Sequence, residues 1–303
     1  MSSANKTMRL MYSSKRFCAS SVAQLAYNAN TVFAESSLTS IIYGVTMKLS
    51  HLAKALLASS VLLSSVNAMA AEPITVTGSA AFTSDYLFRG VSQTSNNAAV
   101  QGAMTFTHES GAYFSLWGSS ITSFAPTLAD SAGLELDTLL GYGGKAGEVA
   151  YDVGVMRYNY PGLSKQNNGT SDVNGKVVEA DYNEVYASIS TMGAKVGFNY
   201  SPEYFNETDK FLYIYASYST EVAGVGLFGS VGMNKFDSAD MMTQSLALSN
   251  NTDDSYMDYK LAASKAIGGV TVEGAYIGAD LDDTVCTEGL CEGRFVLTVS
   301  KGF

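Results

Sequence analysis

Histidine is almost missing from this chain: of 303 residues only His51 and His108 carry an imidazole. Only His108 lies beyond residue 70, which argues against hydrolytic chemistries in which a histidine base activates a serine or a water. Charge is scarce as well, at 15% of residues, and proline is limited to four. Together with 47% hydrophobic and 11% aromatic residues, that excludes a disordered chain. Long apolar runs are absent after residue 70, where nothing approaches the roughly 18 residues of a spanning helix. Basic residues are in deficit there too, with 12 against 27 acids, which excludes a nucleic-acid partner. Of three cysteines, Cys18 stands near the start. Cys286 and Cys291 form an even pair suited to a local disulfide in an oxidising compartment. With His108 as the only other soft ligand, no metal or other cofactor is expected.

What the first 70 residues do contain is a leader. Six Lys/Arg (Lys6, Arg9, Lys15, Arg16, Lys48, Lys54) stand against Glu35 alone. From Met47 the chain reads Met-Lys-Leu-Ser-His-Leu-Ala-Lys, then an apolar stretch from Ala55 to Val66, then Ala68-Met69-Ala70. This is the anatomy of a secretory signal peptide, with cleavage after Ala70 and a mature start at Ala71. An N-terminal membrane anchor is the alternative, but the apolar stretch is short of the roughly 20 residues a spanning helix needs. Residues 1–46 precede a complete signal peptide and read as an extension from a start codon assigned too early. The expected organisation is therefore 1–46 extension, 47–70 signal peptide and 71–303 folded body.

The body has a period of two. Leu134, Leu136, Leu140 and Tyr142 share one face, with Glu135 and Asp137 on the other. Val149, Tyr151, Val153 and Val155 alternate with Ala150, Asp152, Gly154 and Met156. Helical spacing fits neither segment. Twelve such runs are expected: 74–84, 98–108, 112–121, 133–143, 147–158, 181–191, 193–201, 210–219, 223–234, 255–265, 269–279 and 292–303. Their connections alternate between short and long, which suits an all-β transmembrane up-and-down antiparallel β-barrel of about 12 strands. A soluble β-sandwich is the alternative, with more uniform links and Greek-key crossings.

The faces agree with a barrel in lipid. Ile74, Val76, Ala80, Phe82, Val100, Met104 and Phe106 share the apolar face of the early strands. The charges take the other parity: seven acids (Asp85, Glu135, Asp137, Asp152, Glu184, Asp258, Glu273) and four bases (Arg89, Lys195, Lys260, Arg294). These eleven are the expected pore-lining residues. Either a salt-bridge network bracing the barrel or a selectivity field accounts for them. Tyr86, Phe88, Tyr142, Tyr151, Tyr158, Tyr160, Tyr182, Tyr200 and Tyr218 gather near run ends, as interfacial girdles do. The Ser84–Thr94 segment either packs inward or shapes the mouth.

The chain ends in an alternating run, Phe295, Leu297, Val299 and Phe303, which resembles the C-terminal signal read by the outer-membrane barrel-assembly machinery. Lys301 stands where an aromatic is usual.

Ser84-Asp85-Tyr86-Leu87-Phe88-Arg89-Gly90-Val91-Ser92-Gln93-Thr94, followed by Ala99-Val100-Gln101-Gly102, resembles the opening of the TorF-family porins of proteobacteria. So do Trp117-Gly118-Ser119, Tyr151-Asp152-Val153-Gly154, Tyr158-Asn159-Tyr160-Pro161-Gly162 and the ending Val299-Ser300-Lys301-Gly302-Phe303. The resemblance spans the whole body and implies an outer-membrane barrel with a pore.

The expected function is passive diffusion of small hydrophilic solutes across the bacterial outer membrane, with cation preference from the acid excess. Its partners are outer-membrane lipid and lipopolysaccharide, the assembly machinery and those solutes. A non-conducting barrel with a structural, adhesive or complex-forming role is the alternative. An enzyme is not expected. His108 lies beside a short turn with lipid-facing parity, and the carboxylates Glu135 and Asp137 sit two apart on one strand face.

Overall fold

The structure is a computed structural model that describes residues 74–122, 133–161, 170–171, 177–282, 285–286 and 289–303. The expected extension, signal peptide and cleavage site lie outside the described residues.

Twelve strands form the wall: β1 (Ile74–Thr83), β4 (Ala99–His108), β5 (Ala112–Ser120), β6 (Leu134–Ala146), β7 (Val149–Asn159), β10 (Tyr182–Thr191), β11 (Ala194–Ser201), β12 (Phe211–Val222), β13 (Val225–Phe236), β14 (Ser255–Ile267), β15 (Val270–Ala279) and β16 (Arg294–Gly302). Two short hairpins lie in the connections, β2 (Leu87–Phe88) with β3 (Val91–Ser92) and β8 (Thr170–Ser171) with β9 (Val177–Val178). One helix, α1 (Ala239–Leu246), sits in the connection between β13 and β14. Each wall strand pairs antiparallel with its sequence neighbours, and β1 pairs with β16, so the sheet closes without an edge.

Alternation explains the wall. Outward residues stay exposed and apolar, among them Phe82, Val100, Leu140, Ile189, Leu261 and Leu297. Their inward neighbours are polar, small or aromatic. An exposed apolar belt on a sheet with no covering layer suits hydrocarbon rather than water. No helix among the described residues is long and apolar enough to cross a membrane. The outer face of β1 carries Gly78 because the terminal ring needs the space: a Cβ there would come within 2.5 Å of the Phe303 ring. The two residues exchange backbone hydrogen bonds, Gly78 N to Phe303 O at 2.8 Å and Phe303 N to Gly78 O at 3.0 Å.

One end carries only tight turns. Met192–Gly193, Ala223–Gly224 and Gly268–Gly269 have positive φ at both central residues, the type I′ pattern whose twist matches paired strands. The turn expected at residues 144–146 instead falls after Ala146, and β12 and β14 run on to Val222 and Ile267. The extra residues include Lys145 and Glu221, both exposed, so these strand ends keep their ladder bonds beyond the apolar belt. All the longer connections emerge at the opposite end.

Candidate functional site

The first long connection folds into the barrel. Asp85 begins the device: its side chain accepts from Ser92 Oγ and Thr94 Oγ1, both at 2.7 Å, and from Arg294 at 3.2 Å. These bonds bring the two arms of the segment together and let β2 pair with β3 through Leu87–Ser92 and Phe88–Val91. Arg89 and Gly90 form the tip, with φ of 49° and 81°. Gly90 is required twice, for that conformation and because a Cβ would lie 2.6 Å from the Gly278 carbonyl of β15. Tyr256 donates to the Arg89 carbonyl at 3.0 Å, and Ser92 N donates to the Leu290 carbonyl at 2.9 Å. Gly90, Val91, Ser92, Gln93 and Thr94 are all buried.

From its root on β1 the hairpin crosses the lumen. Its tip reaches Glu184 on β10, which stands seven strands from β1 one way round the ring and five the other. Arg89 grips Glu184 with both guanidinium nitrogens, each at 2.9 Å, and the two side chains are 6% and 0% exposed. Glu184 also accepts from Tyr158 at 3.1 Å and Asn199 at 2.9 Å. The guanidinium lies 4.6 Å from the Phe88 ring centre, 4.7 Å from Phe211 and 4.6 Å from Tyr213. A bidentate, desolvated pair under aromatic faces is the strongest form such a contact takes in a protein.

An aromatic arc surrounds the tip. Tyr158 stacks on Tyr182 at 4.4 Å, Tyr182 meets Tyr204 at 4.6 Å, Tyr204 stacks on Phe211 at 4.0 Å, and Phe211 meets Phe236 at 4.9 Å. This corrects the girdle expectation for five of its nine residues: Tyr86, Phe88, Tyr158, Tyr160 and Tyr182 pack inside the barrel around the hairpin. Tyr158 and Tyr182 are turned inward by strand parity, and Tyr86 and Phe88 are carried in by the inserted segment itself. Tyr142 and Tyr218 remain on the exposed outer face near the tight turns. Burial pushes the phenol of Tyr204 up to about 12, although the Arg89 charge acts the other way, so it stays neutral and accepts from Arg89 at 3.4 Å.

The eleven charges thus divide into two sets. At the loop end Asp85, Glu135, Asp137, Glu184 and Asp258 are buried, with Arg89 and Arg294 among them. Asp85 and Arg89 belong to the inserted segment rather than to the wall. Asp258 accepts from Asn234 at 2.8 Å and Tyr213 at 3.2 Å, and Tyr160 donates to Glu135 at 3.4 Å. Toward the turn end stand Asp152, Lys195, Lys260 and Glu273, all half-buried. Lys260 pairs with Glu273 at 2.7 Å, Tyr113 donates to Asp152 at 2.8 Å, and Lys195 lies 5.7 Å from the Tyr215 ring centre. Ser, Thr, Gly and Ala fill most other inward positions there, such as Thr77, Thr105, Ser115, Ser217 and Ser230.

A latch lies over the hairpin. Cys286 and Cys291 are joined by a disulfide, with Cα atoms 6.0 Å apart. Leu290, inside that ring, supplies the carbonyl that holds Ser92. The Cys286–Cys291 pairing was expected from sequence; the hold of its loop on the hairpin and the helix were missed. Met242 of α1 is fully buried in the aromatic cluster, and Ser238 caps the helix by accepting from Met241 N at 3.3 Å. The Ser-Ala-Asp start was the available signal. His108 is exposed, and its ring bonds within its own turn, to Ser110 at 2.9 Å. No group of three or more His, Cys, Asp or Glu among the described residues is arranged to hold a metal.

The sequence matches the family described as "Bacterial protein of unknown function (Gcw_chp)" over residues 67–303. No curated protein matches it. Among solved structures, the NanC porin aligns at 7% identity and a TM-score of 0.42, covering 75% of this chain and 98% of the porin. An outer membrane channel from Pseudomonas putida F1 aligns at 13% identity and a TM-score of 0.40, covering 79% and 100%. LpxR from Salmonella typhimurium aligns at 10% identity and a TM-score of 0.40, covering 75% and 99%.

Proposed function

The chain belongs to the Gcw_chp family of bacterial proteins, and from that premise and its geometry we propose that it is an outer-membrane channel for small hydrophilic solutes, shut at its loop end by the 84–98 hairpin. The observation that carries this reading is the closed sheet itself, apolar outside and polar inside, a wall that satisfies its backbone in lipid while enclosing a polar lumen. The charged interior binds no cofactor in this reading and does no chemistry. The specific kinship with TorF-family porins rests on the Ser84–Thr94 motif, which is the very segment that forms the stopper.

Cation preference follows from the charge count: five acids against two arginines at the loop end, two acids against two lysines toward the turns. Fixed negative charge beside a narrow passage concentrates cations, an effect screened as the Debye length falls to about 3 Å at 1 M salt. The test is the reversal potential of the refolded chain under a KCl gradient in a planar bilayer. Potassium selectivity that weakens with salt supports the reading; a stable anion-selective pore overturns it.

The hairpin favours a second reading, a barrel that never conducts and serves as a structural element. A complete absence of conductance, in the wild type and in Arg89→Ala alike, selects it.

A further inference from the structure

Arg89 occupies a site that the wall builds for a guanidinium. Glu184 presents both carboxylate oxygens to it, and Tyr158 and Asn199 hold that carboxylate independently of the hairpin. Phe211 and Tyr213, 4.7 and 4.6 Å from the guanidinium carbon, offer ring faces from the wall. The backbone gives no reason for an arginine at this position. Its φ of 49° is one that asparagine or glycine adopts more readily, so the side chain is placed against local preference.

We infer that the loop-end wall is a binding site for small guanidinium-bearing cations, and that Arg89 of the hairpin is its resident, intramolecular ligand. A solute of that class competes with Arg89 for Glu184 and displaces the stopper as it binds. Its planar fork is what the site reads: two parallel N–H donors for Glu184 and a flat face for Phe211 and Tyr213. A potassium ion or a quaternary ammonium lacks the fork. The role in solute passage rests on the channel reading; the binding itself does not.

The test is calorimetric titration of the refolded, detergent-solubilised Arg89→Ala barrel with low-millimolar guanidinium chloride at constant ionic strength. Saturable binding is expected, about tenfold tighter than for tetramethylammonium chloride. Wild type, in which the solute must first displace Arg89, should bind far more weakly, and Arg89→Ala/Glu184→Gln, whose carboxylate is gone, should show no binding. An assembled Arg89→Ala barrel without saturable guanidinium binding, or one that prefers tetramethylammonium, overturns the inference. If Arg89→Ala assembles poorly, refolding yield becomes the readout. Guanidinium at the same concentration must then restore the yield where tetramethylammonium does not, and failure to restore it is equally decisive against the site. Conductance plays no part in these readouts, so a barrel that binds guanidinium yet never conducts overturns only the channel reading.

Discussion

The two ends of the lumen present the same chemistry in opposite states. At the loop end acids and arginines are locked among tyrosines and an inserted hairpin, and Glu184 alone receives four hydrogen bonds. Toward the turns acids and lysines share the wall with serine, threonine and glycine, and the Lys260–Glu273 pair keeps 28% and 26% of its side-chain exposure. Strand parity is identical at both ends, so parity selects the inward residues but does not decide whether they meet water. That is decided by the connections: those at one end are too short to enter the barrel, and the first at the other end is long enough to cross it.

The strongest way to break this contrast is Arg89→Ala. It leaves Glu184 charged and buried without its partner, at a cost of about 3–5 kcal/mol. In bilayer recordings the conductance of the assembled variant should rise well above wild type. Unchanged conductance would mean that the hairpin is not the barrier and that the two ends differ only in composition.

Two residues on β6 sharpen it next. Leu140, at the middle of the strand, is exposed on the outer face, and Leu140→Arg should cost on the order of 2–4 kcal/mol near the bilayer midplane. Asp137 is buried on the inner face with an unpartnered Oδ1, so Asp137→Asn should cost under about 1 kcal/mol or stabilise. Urea unfolding of both variants in lipid vesicles measures the difference, and equal losses would contradict the inside-out wall.

The latch tests the closed end more gently. Replacing Cys286 and Cys291 with serine removes a very short ring, whose loss should be below the ~3 kcal/mol of a fifteen-residue loop. With Leu290 less firmly held, brief openings should appear in single-channel traces. Quantitative maleimide labelling of unreduced, denatured wild type would show that the ring was never closed.

The smallest effect is expected at the turn end. Glu273→Gln breaks a partly exposed pair worth about 1 kcal/mol or less. It should shift the reversal potential while leaving the unfolding midpoint nearly unchanged.

The wall was legible because β-structure writes its period directly into the sequence, and glycines with basic or small neighbours marked the tight turns. Strand ends were misplaced by about three residues where Lys145 and Glu221 continue the ladders, since charge beyond the apolar belt resembles a turn. The stopper was only half legible. Asp85 and Arg89 were chosen by parity as wall charges, but Arg89 pairs with Glu184 on a strand seven places from β1, and Asp85 with Arg294 on the last strand. Pairings at separations of 95 and 209 residues leave no local trace. The tyrosines misled for the same reason: at a strand end, a ring facing lipid headgroups and a ring facing an inserted hairpin share composition and spacing. Met242 and its capped helix carried a local signal that twelve stronger periodic runs obscured.

The seam between β1 and β16 has a consequence for biogenesis. The stopper follows the first strand of the wall, yet Arg294, which bonds to its Asp85 stem, belongs to the last strand. The hairpin therefore has no complete native setting until the final strand arrives and Phe303 settles over Gly78. Sealing the sheet and seating the stopper become a single cooperative step with high contact order. On the channel reading, a half-built wall is gaping and a finished one is shut, so no completed cylinder would leak while waiting for its gate.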